Sequence, residues 1–196
     1  MKVLQVKCPA CGNPIQMKKV DRLFLCDKCG TMHVRNGGTE CLEYEIAEFG
    51  RGAQGEKVYM PFWRVYASFV IRSKKVEGGT IFRLSQWIKG NSEGGDLFVY
   101  VPAAELDINS FKRLAVDMTV ATPRYATRLD FGGVERLPAA ITKGEAIEMA
   151  DFVVVTMEAE EPGVLQNLDY SLTVKDAKVV YLPFIRTASG LVPAYK

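Results

Sequence analysis

Cys8-Pro9-Ala10-Cys11-Gly12 and, fourteen residues further on, Cys26-Asp27-Lys28-Cys29-Gly30 are the stretch from which this chain is read. Cys-x2-Cys stands twice, at the separation of a four-thiolate zinc site. Two sulfurs on one tight turn point the same way, and the glycine after each second cysteine permits the positive φ such a turn needs. Two turns facing each other form a tetrahedral cage. Cys8, Cys11, Cys26 and Cys29 are therefore the expected metal ligands and Zn²⁺ the expected ion, in a structural role.

With the flanking residues Phe24-Leu25 and Thr31, the two motifs resemble the knuckles of a zinc ribbon, a module of general transcription factors, RNA polymerase subunits and many small bacterial proteins. The resemblance covers residues 1–38, roughly a fifth of the chain. It implies metal and local fold but no single function, since ribbons serve DNA binding, polymerase contact and protein docking alike. Iron in the same cage would give a rubredoxin-like electron carrier; the short separation and the ribbon resemblance favour zinc.

The remaining residues, 39–196, resemble no family of known function. At 196 residues, 48% hydrophobic and 24% charged, the chain has the composition of a folded protein with room for one well-buried domain and a small appendage. All five cysteines fall within the first 41 residues, whereas a disulfide-stapled protein distributes them through the fold. No apolar run approaches a bilayer span of about 20 residues, and Met1–Gln5 leads straight into the first knuckle. The expectation is a soluble, cytoplasmic protein without membrane insertion.

Net charge is +2, unevenly divided: residues 1–38 carry +5 and the rest −3. Four thiolates and one Zn²⁺ remove two charges from the first part, leaving about +3. A solvated lysine surface accounts for that as well as a nucleic-acid face does.

Period-two alternation marks Lys57–Lys74 as a long strand, with Trp63, Val65, Ala67, Phe69 and Ile71 on one parity and Pro61 at its start or at an edge kink. Lys74–Gly79 reads as a hairpin turn and Thr80–Ile88 as the returning strand. Leu97–Val101 reads as a central strand buried on both faces. Asn109–Ala121 is a helix capped by Asn109 or Ser110, and Thr142-Lys143-Gly144-Glu145 is a capping box opening another. Ala177–Arg186 returns to strand, and Cys41–Ile46 alternates like a half-buried one. Together these give an α+β fold: a small N-terminal ribbon, then a mainly antiparallel sheet with two or three helices. One word is written twice, Tyr59-Met60-Pro61-Phe62-Trp63-Arg64 and Tyr181-Leu182-Pro183-Phe184-Ile185-Arg186, as expected of two strands paired as neighbours or related by local symmetry.

His33, the only histidine, follows four residues after the last knuckle and reads as a solvent-side residue, because four cysteines saturate a tetrahedral ion. Cys41 reads as a structural thiol beside Glu43 and Glu45. Basic and aromatic residues interleave over 57–89 as in a single-strand-binding sheet, but Trp63 and Phe69 lie on the apolar parity, leaving Tyr66 as the one well-placed platform. No nucleophile–base pair, Walker loop or nucleophile elbow is present. The function expected is a non-catalytic zinc protein docking onto another protein, with a nucleic-acid-associated ribbon factor as the alternative.

Overall fold

The computed structural model describes residues 3–35, 41–77, 89–91, 94–159 and 164–195. The fold is α+β, with two helices, two small antiparallel sheets and one larger mixed sheet among the described residues. β1 (Val3–Lys7) and β2 (Pro14–Lys18) form a hairpin. β3 (Leu23–Leu25), β4 (Met32–Val34) and β5 (Cys41–Leu42) form a three-stranded sheet. The large sheet has the order β10–β6–β12–β7–β9–β8. Its strands are β6 (Tyr44–Ala47), β7 (Glu56–Glu77), β8 (Lys89–Asn91), β9 (Gly94–Pro102), β10 (Thr127–Arg128) and β12 (Val164–Thr187). β11 (Glu135–Arg136) joins β7, and β13 (Gly190–Pro193) joins β12. All pairings are antiparallel except β6 with β12 and β11 with β7.

The frame is the β7–β12 pair, 22 and 24 residues long. At about 3.3 Å per residue each strand runs to roughly 70 Å, and three register irregularities between Leu165 and Asp176 bend the ladder. β7 continues through the stretch read as a turn, up to Glu77. Thr80–Ile88, read as a strand, lies outside the described residues, as do Asn36–Thr39 and Pro162-Gly163, whose composition in the sequence signals a turn at the end of the ribbon and a break after the second helix. Cys41–Ile46 is two strands in two different sheets, divided at Glu43.

Alternation gives the paired strands two buried faces. On one lie Tyr59, Trp63, Val65, Phe69, Val99, Val101, Val179 and Tyr181; on the other Val58, Met60, Phe62, Tyr100, Val180, Leu182 and Phe184. α2 (Lys143–Ala159) covers the first face with Ala146, Ala150, Val153, Val154 and Met157. Trp63 donates its indole N–H to the carbonyl of Ile141 at 2.9 Å, fixing the approach to that helix. α1 (Ile108–Ala121) turns Leu114 and Met118 to the second face and Ala115 to the first, because it lies along the edge of β9. The Thr119 hydroxyl accepts the Tyr100 N–H at 3.0 Å, closing that edge. β9 lies between β7 and β8 in the sheet order; Leu97, Val99, Tyr100 and Val101 are buried while Phe98 is 38% exposed, and among the described residues β8 pairs with Gly94–Asp96.

Both helix starts follow from sequence chemistry. Asp107, two residues before the first of the expected caps, accepts the N–H groups of Asn109 and Ser110 at 3.1 and 3.0 Å. In α2 the Glu145 carboxylate takes the Thr142 N–H at 2.7 Å while Thr142 Oγ1 faces the Glu145 N–H at 3.4 Å, the reciprocal box the sequence announces.

The repeated word sits at the centre of this frame. Met60 faces Leu182, Tyr59 faces Pro183 and Pro61 faces Tyr181, so the two copies are related by a local twofold. Tyr59 and Tyr181 both meet the ring of Phe131 edge-on, at 5.1 and 4.9 Å, on one face; Phe62 and Phe184 stack at 6.1 Å on the other. Pro61 is interior to β7 rather than at its start or an edge. Its carbonyl accepts from Ala103 on the outer side, so its missing N–H also faces outward, in the gap where β9 ends and β11 takes over. Pro183 does the same on β12, between the ladders of β6 and β13, with its carbonyl accepting from Ala194. Each proline falls where the outer neighbour changes and no ladder bond is lost.

Candidate metal centre

The N-terminal sheet is two-sided. Leu23, Leu25 and Met32 face the main core beside Tyr59 and Tyr181, whereas Phe24 and His33 face the first knuckle. The backbone is tied to the main sheet as well: the Arg22 N–H reaches the Ala139 carbonyl, Tyr44 donates to the Gly30 carbonyl at 2.9 Å, and Arg136 lies 3.7 Å from Asp27.

The two knuckles repeat one backbone pattern. Gly12 N–H bonds to the Cys8 carbonyl and Gly30 N–H to the Cys26 carbonyl, each at 2.8 Å. The glycines take φ values of 72° and 69°, the left-handed region that disfavours any side chain. The first cysteine of each pair is buried and the second exposed. All four sulfurs lie within 4.8 Å of one another. Cys8 Sγ is 3.7 Å from Cys29 Sγ, and Cys11 Sγ is 3.6 Å from Cys26 Sγ. A tetrahedral ion with Zn–S bonds of about 2.3 Å needs sulfur–sulfur edges of about 3.8 Å, so the donor set fits a metal ion, plausibly zinc.

The thiols without an ion show why a cation belongs there. Burial works against the Cys8 thiolate, but the N–H groups of Cys11 and Ala10 and the Thr31 hydroxyl outweigh it and bring the thiol down to about 5. The Asn13 N–H favours the Cys11 thiolate, yet burial and the neighbouring thiols push it up to about 12. Thr31 lowers Cys29. Negative charge on one sulfur thus impedes charge on the next, and a divalent cation removes the conflict while releasing protons.

His33 is not at the solvent side: it is completely buried. Its ring lies 5.3 Å from that of Phe24, with Nε2 3.0 Å from Thr31 Oγ1 and 3.5 Å from Cys8 Sγ. Thr31 Oγ1 is 2.8 Å from Cys29 Sγ. Counting ligands missed both residues; the alternation Met32-His33-Val34 was the available signal, since Met32 in the core puts His33 on the cysteine side. Cys41 is exposed, its sulfur 4.0 Å from His33 Nδ1.

The basic aromatic strand is built differently from a base-stacking platform. Trp63, Phe62, Tyr59 and Phe69 are fully buried. Tyr66 stacks on Phe98 at 4.9 Å, and its hydroxyl donates to Asp96, which also accepts from Ser68 and Lys175. Arg64 forms a two-pronged pair with Glu45, both contacts 3.1 Å, and donates to the Tyr125 hydroxyl at 2.9 Å. Arg72 lies 3.7 Å from Asp169. No helix among the described residues is long and apolar enough to cross a membrane.

No protein-family model, curated protein or solved structure matches this chain.

Proposed function

We propose that the chain is a non-catalytic zinc protein in which residues 1–38 form a zinc ribbon and residues 39–196 an α+β domain, the whole acting in the cytoplasm as an adaptor or scaffold for another protein. The observation that carries the metal reading is the set of four sulfurs spaced at the edges of a zinc–thiolate tetrahedron, which leaves a bound ion no position for substrate or reactive water. A closed site of this kind supports folding rather than chemistry. Docking onto protein is favoured over nucleic acid because the aromatic rings of the basic strand are core residues, and Arg64, Arg72 and Lys175 are matched by Glu45, Asp169 and Asp96. The Tyr66–Phe98 pair, half-buried at Tyr66 and exposed at Phe98, is what the nucleic-acid alternative would use.

Elemental analysis of the purified protein tests the first part: one zinc per chain is expected, and its absence would remove the reading. Titration with single-stranded DNA and RNA at rising salt tests the second. Phosphate contacts weaken steeply with salt, so tight, salt-sensitive binding would install the nucleic-acid alternative in place of the adaptor. Capture from the native cell followed by identification of bound proteins then names the partner.

A further inference from the structure

We infer that Thr31 and His33 form an outer-shell hydrogen-bond relay that positions the Cys29 and Cys8 sulfurs for the metal and slows release of the ion. The inference rests on the four-thiolate zinc reading and assigns to it two positioning residues. Neither is a ligand.

The direction of the relay follows from what each group can donate. A metal-bound thiolate only accepts, so across the 2.8 Å contact between Thr31 Oγ1 and Cys29 Sγ the hydroxyl is the donor. Its single proton is then used, and the 3.0 Å contact with His33 Nε2 has to be filled from the imidazole side. Nε2 therefore carries a hydrogen, shared between Thr31 Oγ1 and the Cys8 sulfur at 3.5 Å. The other ring nitrogen, Nδ1, faces the Cys41 sulfur at 4.0 Å. One imidazole hydrogen and one hydroxyl hydrogen thus reach two of the four sulfurs, one from each knuckle.

Position and burial make this more than a surface contact. His33 is fully buried, braced against Phe24 and paired in register between Phe24 and Cys41, so its ring is held by the same strands that carry the second knuckle to the main core. Donors to a metal-bound thiolate spread its charge onto the protein. Removal of such outer-shell partners typically costs about 10–100-fold in metal affinity.

The test uses the full zinc-loaded chain and follows zinc transfer to excess chromogenic chelator, together with the sulfur-to-metal charge-transfer band of the Co²⁺-substituted protein. His33→Phe keeps a ring against Phe24 and removes the donor; Thr31→Val keeps the shape and removes the hydroxyl. Each is expected to speed transfer by about tenfold and to shift the cobalt band. The double variant should be little faster than either single, because the hydroxyl depends on the imidazole for its orientation. His33→Gln, which restores an N–H near the Nε2 position, should recover part of the loss, which a purely packing role would not allow. Thr31→Val reads the same relay if His33→Phe does not fold.

Wild-type transfer rates and an unchanged cobalt band in variants that carry one zinc would overturn the relay alone, as would effects that multiply in the double variant. A wild-type cobalt spectrum showing only three thiolates would make His33 a ligand and overturn it too. A wild-type chain without stoichiometric zinc would instead bring down the metal reading itself.

Discussion

Glu45 shows how much of this protein's surface charge is structural. Its side chain is 25% exposed, and its carboxylate receives Arg64, the Tyr125 hydroxyl at 3.0 Å and Lys178 at 3.4 Å. Burial alone would raise its pKa, but the Arg64 charge and the Tyr125, Arg64 and Lys178 hydrogen bonds outweigh it and hold the group below the ordinary glutamate value. A carboxylate lowered on folding stabilises the native state above its unfolded value of about 4.3. That contribution drains away as pH falls through the lowered folded value. Glu45→Gln keeps the shape and removes the titration. Urea unfolding between pH 7 and pH 3 should therefore show the wild type losing stability on acidification more steeply than the variant, with the two curves converging at the acid end. Parallel curves would mean that Glu45 titrates alike in both states. Asp96, lowered by Lys175, Ser68 and Tyr66, acts in the same sense on the neighbouring strands and belongs to the common background of both curves.

At the scale of elements, the closure of β9 by α1 is the contact most open to a single substitution. Tyr100 and Thr119 are both nearly inaccessible, and the hydroxyl accepts that N–H from outside the ladder. Thr119→Val removes the acceptor and leaves a buried donor unpaired, so a loss of about 1–3 kcal/mol is expected in denaturant unfolding, with Thr119→Ser retaining most of the stability. An unchanged midpoint in Thr119→Val would show that water reaches the strand edge. This contact also marks where legibility in the sequence ends. Alternation revealed β7 because Trp63, Val65, Ala67 and Phe69 share a parity, and the capping box revealed α2 because its chemistry is local. Both helices and the sheet-based fold were readable for that reason. Pro61 was misleading because a proline reports only a missing N–H, whereas the place where that N–H would have pointed depends on β9 ending and β11 beginning far along the chain. The inner half of β12 escaped because Ser171, Thr173, Lys175 and Asp176 are polar, and their strand state comes from pairing with β7 rather than from their own preference. Likewise the four cysteines were legible from spacing, while Thr31 and His33 were not, because what stands behind a ligand is set by tertiary packing.

For the molecule as a whole, the cysteine module is joined to the main body by more than a linker. Leu23, Leu25 and Met32 are buried in the same cluster as Trp63, Tyr181 and the α2 residues Val153 and Val154, and the third strand of their sheet, Cys41–Leu42, leads at once into β6 of the large sheet. With zinc bound as proposed, a module this small would draw much of its folding free energy from the ion; apparent values for zinc in isolated finger peptides are about 10–16 kcal/mol. Losing the ion would free the two knuckles, let β3 and β4 loosen, and open one side of the core around Tyr181. Removing zinc with a strong chelator should consequently lower the melting temperature of the whole chain and not merely abolish a small early transition. The change should register in near-ultraviolet circular dichroism, which reports the packed aromatics of the main core, Trp63, Tyr59 and Phe131. Restoring one equivalent of zinc should return the original transition. A main transition indifferent to the chelator would mean that the sheet and its two helices hold their packing without the module, and that Leu23, Leu25 and Met32 cover a core already complete.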